Sequence, residues 1–157
     1  MPDQSRSEDE KFAIRQVRAW YFLVAMVALH VLDEAATGFL DFYNPLVLRV
    51  RAVWPRFPMP TFTFSVWLTG LTFLVLGLAL VGPLVRRGAA GTRAAAWLLS
   101  AIMLLNGAGH LVGSLYFGRR LPGVTSATFL ILGGGLLASR TWQRAAAARR
   151  HIRENAI

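Results

Sequence analysis

In the stretch His30-Val31-Leu32-Asp33-Glu34, an imidazole and two carboxylates stand at i, i+3 and i+4, spacings that bring side chains together on one helix face. Thr37 and Asp41 continue that face, and at about 100° per residue all five fall within an arc of roughly 100°. Farther along, Asn106 and His110 repeat the i, i+4 spacing, with Gly109 and Gly113 close to the same face. His and Glu one turn apart can chelate one ion, and two imidazoles, two carboxylates and an amide carbonyl make a hard or borderline donor set. His30, Glu34 and His110 are therefore the predicted ligands of a divalent metal of zinc or iron type, which would make water nucleophilic or polarise a substrate oxygen. Asp33 is placed to orient or neutralise a histidine, and Asn106 to hold substrate or water. Without a metal, the same groups could serve as general acid and base, or as proton carriers in a transporter. A purely structural role, fixing helix register by hydrogen bonds, is expensive, since ionisable groups within a membrane cost about 2.5 to 3.5 kcal/mol each on insertion scales.

These residues sit in apolar surroundings. The chain has 157 residues, 55% hydrophobic and 16% charged, and no cysteine, so thiolate ligands and thiol nucleophiles are excluded. No charged residue occurs over 57–85 or 121–139, and over 94–118 only His110 could carry a charge. Apolar stretches of about 18 or more residues predict membrane-crossing helices. The fold expected is an all-α integral membrane bundle of four transmembrane helices at about 19–40, 61–85, 93–117 and 123–141. A polar tail at 1–18, disordered and then interfacial, would precede them, and a basic tail at 142–157, a helix lying on the membrane surface, would follow. The segment 41–60, with Pro45, Pro55, Pro58 and Pro60, reads as an interfacial loop.

Four spans would place 12 Lys/Arg on the side of the termini and 5 on the other, so both termini are expected on the cytoplasmic side of the cytoplasmic (inner) membrane. The net charge of +9 is thereby read as basic flanks of membrane helices; with no basic aromatic platform, no nucleic-acid partner is expected. Helices one and three would run in the same direction. Counted from Arg18 and Ala94, His30 and Asn106 lie about 18 Å up, and Glu34 and His110 about 24 Å up, at 1.5 Å per residue. Matching depths predict one shared site. Trp67, Thr69 or Thr72, and Thr125, Ser126 or Thr128, could add to it, although helix threonines commonly bond back to their own backbone. Gly109, Gly113 and Gly133-Gly134-Gly135 are read as helix-packing positions, and Trp20, Tyr21, Trp54, Tyr116 and Trp142 as interface anchors.

The order His30-Val31-Leu32-Asp33-Glu34, then Asn106-Gly107-Ala108-Gly109-His110, then Pro122-Gly123 with Thr125 shortly after, resembles the HXXEE family of small bacterial multi-pass membrane proteins over about residues 20–135. The resemblance implies that His30, Asp33, Glu34, Asn106 and His110 are the site residues, with Pro122 and Gly123 shaping the start of the fourth helix. It brings no reaction with it. The first motif departs from the family name: Asp33 stands where the name has Glu, one methylene shorter. The combined expectation is an enzyme acting on a lipid-like or otherwise apolar small-molecule substrate in the lipid bilayer, through a metal or through acid/base chemistry. The alternative is a proton-coupled small transporter or transporter subunit, which with four helices would need to form a homo-oligomer to enclose a path.

Overall fold

A computed structural model describes residues 2–154. They form five helices: α1 (Pro2–Ala36), α2 (Phe39–Val53), α3 (Phe64–Arg87), α4 (Thr92–Tyr116) and α5 (Val124–Glu154). The all-α class matches the sequence patterning, but the span count does not. Among the described residues, three helices are long and apolar enough to cross a membrane: α1 over Glu8–Ala36, α3 and α4. The fourth predicted span falls short because Thr125, Ser126, Thr128, three consecutive glycines and Arg140 dilute its apolar residues. Protein covers much of that helix instead. Ala127, Leu130 and Leu137 on its inner face are fully buried.

The centre of the bundle is α1, with α3 against one side and α5 against the other, while α4 packs on α5. Both α3 and α5 run antiparallel to α1. Leu23 lies where a side chain on Gly133 would be, and Ala127 O lies where one on Gly107 would be. The absent side chains at Gly107, Gly133 and Gly134 let α5 approach α1 and α4 closely. By contrast, space is open around Gly109 and Gly135, so these two are not the packing positions the sequence suggested.

At the end of the bundle where α3 stops, Arg144 donates to Gln16 Oε1 at 2.7 Å and to the carbonyls of Val85 at 2.8 Å and Arg86 at 3.2 Å. Gln16 in turn donates to Thr141 Oγ1 at 3.1 Å. A cation on the last carbonyls of α3 adds a donor to Val85 O, which also accepts from Gly88 N–H at 3.2 Å, and opposes the negative end of the helix dipole.

Three local expectations are corrected. The N-terminal segment is helical from Pro2 and continuous with α1, whereas the helix expected after residue 141 is present, α5 continuing to Glu154. Much of the predicted 41–60 loop is helix α2, because only Pro45 falls inside it and Pro55, Pro58 and Pro60 lie beyond its end. A proline in a helix forfeits one backbone hydrogen bond, which α2 tolerates. Trp20, expected at the membrane interface, is 1% exposed and donates its indole N–H to Leu78 O at 2.8 Å. The ring thereby locks α1 to α3.

Candidate metal centre

Helix α1 presents His30, Asp33 and Glu34 toward α4 and α5 within its last two turns. Thr37 and Gly38 then turn the chain into α2, Gly38 adopting φ 74°, a left-handed conformation that glycine takes without strain. Thr37 Oγ1 donates to Asp33 O at 2.6 Å and accepts from the N–H of Gly123 at 3.2 Å. The turn that starts α5 is thus tied to the last turn of α1.

That tie brings three groups to one point. Glu34 Oε1 lies 3.4 Å from His30 Nε2 and 3.2 Å from His110 Nε2. The matching depth predicted for Glu34 and His110 is therefore a contact. The imidazole rings of His30 and His110 meet edge to face, centroids 4.7 Å apart. His30 is 3% and Glu34 6% exposed, and the His110 side chain is 11% exposed. One ligand atom from each of the three lies within 4.8 Å of the others.

Asp33 takes no place in this triad but acts on it from behind. Its Oδ2 accepts from the backbone N–H of Ser126 at 2.9 Å and from the Ser126 hydroxyl at 2.7 Å. The first bond satisfies one of the orphan donors at the start of α5. The second fixes a proton. A serine hydroxyl has one proton to give; with it directed to Asp33, Ser126 Oγ is the acceptor in its 2.8 Å contact with His30 Nδ1. A neutral His30 ring then carries its proton on Nδ1 and turns the lone pair of Nε2 toward Glu34. Nε2 is buried and has no hydrogen-bond partner, facing a carboxylate oxygen that is itself an acceptor.

Two lone pairs turned toward each other in a buried site favour a cation between them, a proton or a metal ion. The donor set fits a small divalent cation: ligand bonds of about 2.0 to 2.2 Å in a tetrahedral arrangement put neighbouring ligand atoms about 3.3 Å apart, close to both distances to Glu34 Oε1. One ion held by all three side chains accounts for both contacts to Glu34 Oε1 at once.

The centre lies between two cavities. One, of about 320 Å³, includes Glu34 and Asp41 in its lining and is walled by Phe39, Phe62, Phe64 and Trp67. Its walls are held by α2, where Asn44 donates to Phe62 O at 2.9 Å and accepts from Phe62 N–H at 3.1 Å. The other, of about 270 Å³, contains His110 and Asn106. Asn106 thus stays out of the triad, one turn from His110, and makes no side-chain hydrogen bond among the described residues. Of the hydroxyls suggested by sequence, Ser126 enters the site. Thr72 bonds back to Leu68 O at 2.8 Å, and Thr69, Thr125 and Thr128 are exposed.

Gly123 is the residue whose role sequence reasoning left vague. Its backbone, at φ 80°, lies so close to the triad that a Cβ would sit 2.8 Å from Glu34 Cγ, 2.9 Å from His30 Cε1 and 3.0 Å from His110 Cε1. The glycine of the Pro-Gly pair is therefore the floor on which all three groups rest. Over residues 20–138 the sequence matches the family described as "Protein of unknown function with HXXEE motif". No curated protein and no solved structure matches the chain.

Proposed function

The chain belongs to the HXXEE family, and on that premise we propose that His30, Glu34 and His110 hold a divalent metal of zinc or iron type for chemistry on a lipid-like or otherwise apolar substrate. The observation that carries this reading is the buried, unpartnered Nε2 of His30 opposite Glu34 Oε1. Three protein ligands leave a coordination position for water or substrate, and a metal so held supplies Lewis acidity and a nucleophile at neutral pH. The chain's own groups do the rest. Asp33 and Ser126 hold His30 in its Nδ1–H form, Gly123 sets the spacing of the triad, and Asn106 offers an amide to a substrate oxygen beside His110.

Membrane residence is supported by the three apolar helices. We place the arginine-rich end of the bundle, with Arg86, Arg87, Arg93, Arg144 and Arg149, in the cytoplasm, and the metal centre toward the opposite surface. Proton-coupled transport has less support, because buried Leu23, Val27, Leu130 and Leu137 pack between the centre and that arginine-rich end.

Elemental mass spectrometry on protein purified without chelators tests the proposal. About one zinc or iron per chain is expected, and metal-free wild-type protein that also fails to take up added zinc overturns it. A finer prediction concerns the relay. Ser126→Ala keeps all three ligands but frees the His30 ring, and loss of such an outer partner typically costs about 10- to 100-fold in metal affinity. Competition with a chromophoric chelator would measure it; wild-type affinity in the variant would show that the relay does not orient His30.

A further inference from the structure

The cavity beside His110 has features the metal centre does not need. Its lining is Phe42 from α2, Leu105, Asn106, Gly109 and His110 from α4, and Leu121 from the turn before α5. Apart from His110 and Asn106, these are apolar. Leu105 at its edge is 74% exposed and lies on a helix apolar enough to cross a membrane, so the opening faces the level of lipid chains. Gly109 is the informative residue. A side chain there would meet nothing within 4 Å, which means that no helix packing requires a glycine. What its missing side chain leaves is the open space leading along α4 to His110.

Charge selects the occupant. At the rim the Arg119 guanidinium sits 5.9 Å from the centroid of the Phe42 ring, close enough for a cation–π contact that steadies it, and Arg120 follows. Asp41 lines the separate cavity on the α3 side, and the Glu34 carboxylate beside His110 is taken up by the two imidazoles. We infer that this cavity is a lateral port for a single-chain anionic lipid, whose hydrocarbon chain crosses Leu105, Phe42 and Leu121 and whose oxygen-bearing head reaches Asn106 and His110. Arg119 draws the negative head toward the opening, and the unengaged Asn106 amide receives one of its oxygens. This deepens the proposed function by naming the substrate class, and it rests on the metal reading only for what the head meets beyond His110.

The port can be tested with a long-chain fatty acid carrying a diazirine near its methyl end, photolysed with the full-length protein in nanodiscs of zwitterionic lipid. The crosslinks are expected on peptides containing Phe42 or Leu105–Leu121. In Gly109→Leu the Cβ meets nothing within 4 Å and the rest of the added side chain occupies the port. If it excludes roughly two methylenes of ligand at about 0.8 kcal/mol each, labelling falls about tenfold. Arg119→Gln, an exposed charge worth up to about 1 kcal/mol, lowers labelling about threefold. A primary amine with the same chain and diazirine should label these peptides more weakly than the acid. Equal labelling of wild type and Gly109→Leu overturns the inference, as does an amine that labels as well as the acid. Metal content measured on the same samples separates the two readings. Port labelling in protein that holds no metal leaves the port standing and removes the metal, whereas a full metal complement with labelling unaffected by Gly109→Leu removes the port alone.

Discussion

His30→Ala, Glu34→Gln and His110→Ala are each expected to purify without metal, the largest single-residue effect in the molecule. In structural zinc sites about 10 to 16 kcal/mol is shared among four ligands. Removing one therefore costs roughly 3 kcal/mol, or more than about a hundredfold in affinity. Glu34→Gln is the most informative of the three. It keeps the shape of the side chain that both imidazoles approach and removes only the charge, so its fold should survive where the alanine variants open a void. Thermal unfolding with and without added zinc provides a second readout, because a ligand bound only to the native state raises the midpoint. Wild-type protein should be stabilised by zinc and all three variants left unmoved. Stoichiometric metal in His30→Ala and in His110→Ala would sink the triad as the binding site.

Much of the centre was legible from spacing, because one turn of helix separates His30 from Glu34 and a common depth relates Glu34 to His110. Helical periodicity reports which face a residue is on, and rise per residue reports its height. Neither reports what a neighbouring helix contributes. Ser126 was one hydroxyl among several, and only the packing of α5 on α1 distinguishes it from the exposed Thr125 and Thr128. The same packing explains why Asp33 can stand where the family name has glutamate. The shorter side chain does not have to reach the imidazole, since Ser126 bridges the gap with bonds of 2.7 and 2.8 Å. Asn106 shared a depth with His30 but not a contact, because depth fixes height and leaves rotation about the helix axis free. Hydropathy also misjudged α5, whose Ala127, Leu130 and Leu137 face protein while Gly133, Gly134 and Ser126 bring neighbours close. It missed α2 because proline was read as a break, although three of the four prolines in that segment lie after the helix has ended.

Gly123→Ala is the second large effect, and it separates geometry from ligand identity. The substitution leaves every proposed ligand in place. A Cβ at φ 80° costs about 1 to 2 kcal/mol in the left-handed region, and crowding it against three packed side chains at 2.8 to 3.0 Å costs about 1 to 3 kcal/mol more. The strain has two outlets. If the 118–123 turn holds its position, Glu34, His30 and His110 are pushed out of register and metal affinity falls, by about a hundredfold for roughly 3 kcal/mol. If the turn gives way, the Thr37–Gly123 bond and the Asp33 cap on α5 loosen, and the protein unfolds at a lower temperature with the triad less disturbed. The two losses together should approach the full strain, so zinc affinity and unfolding temperature must be measured on the same preparation. Pro122→Ala is the control, since it alters the neighbouring residue and leaves Gly123 its freedom. Wild-type affinity and wild-type stability in Gly123→Ala would show that the backbone at this turn does not set the spacing of the triad.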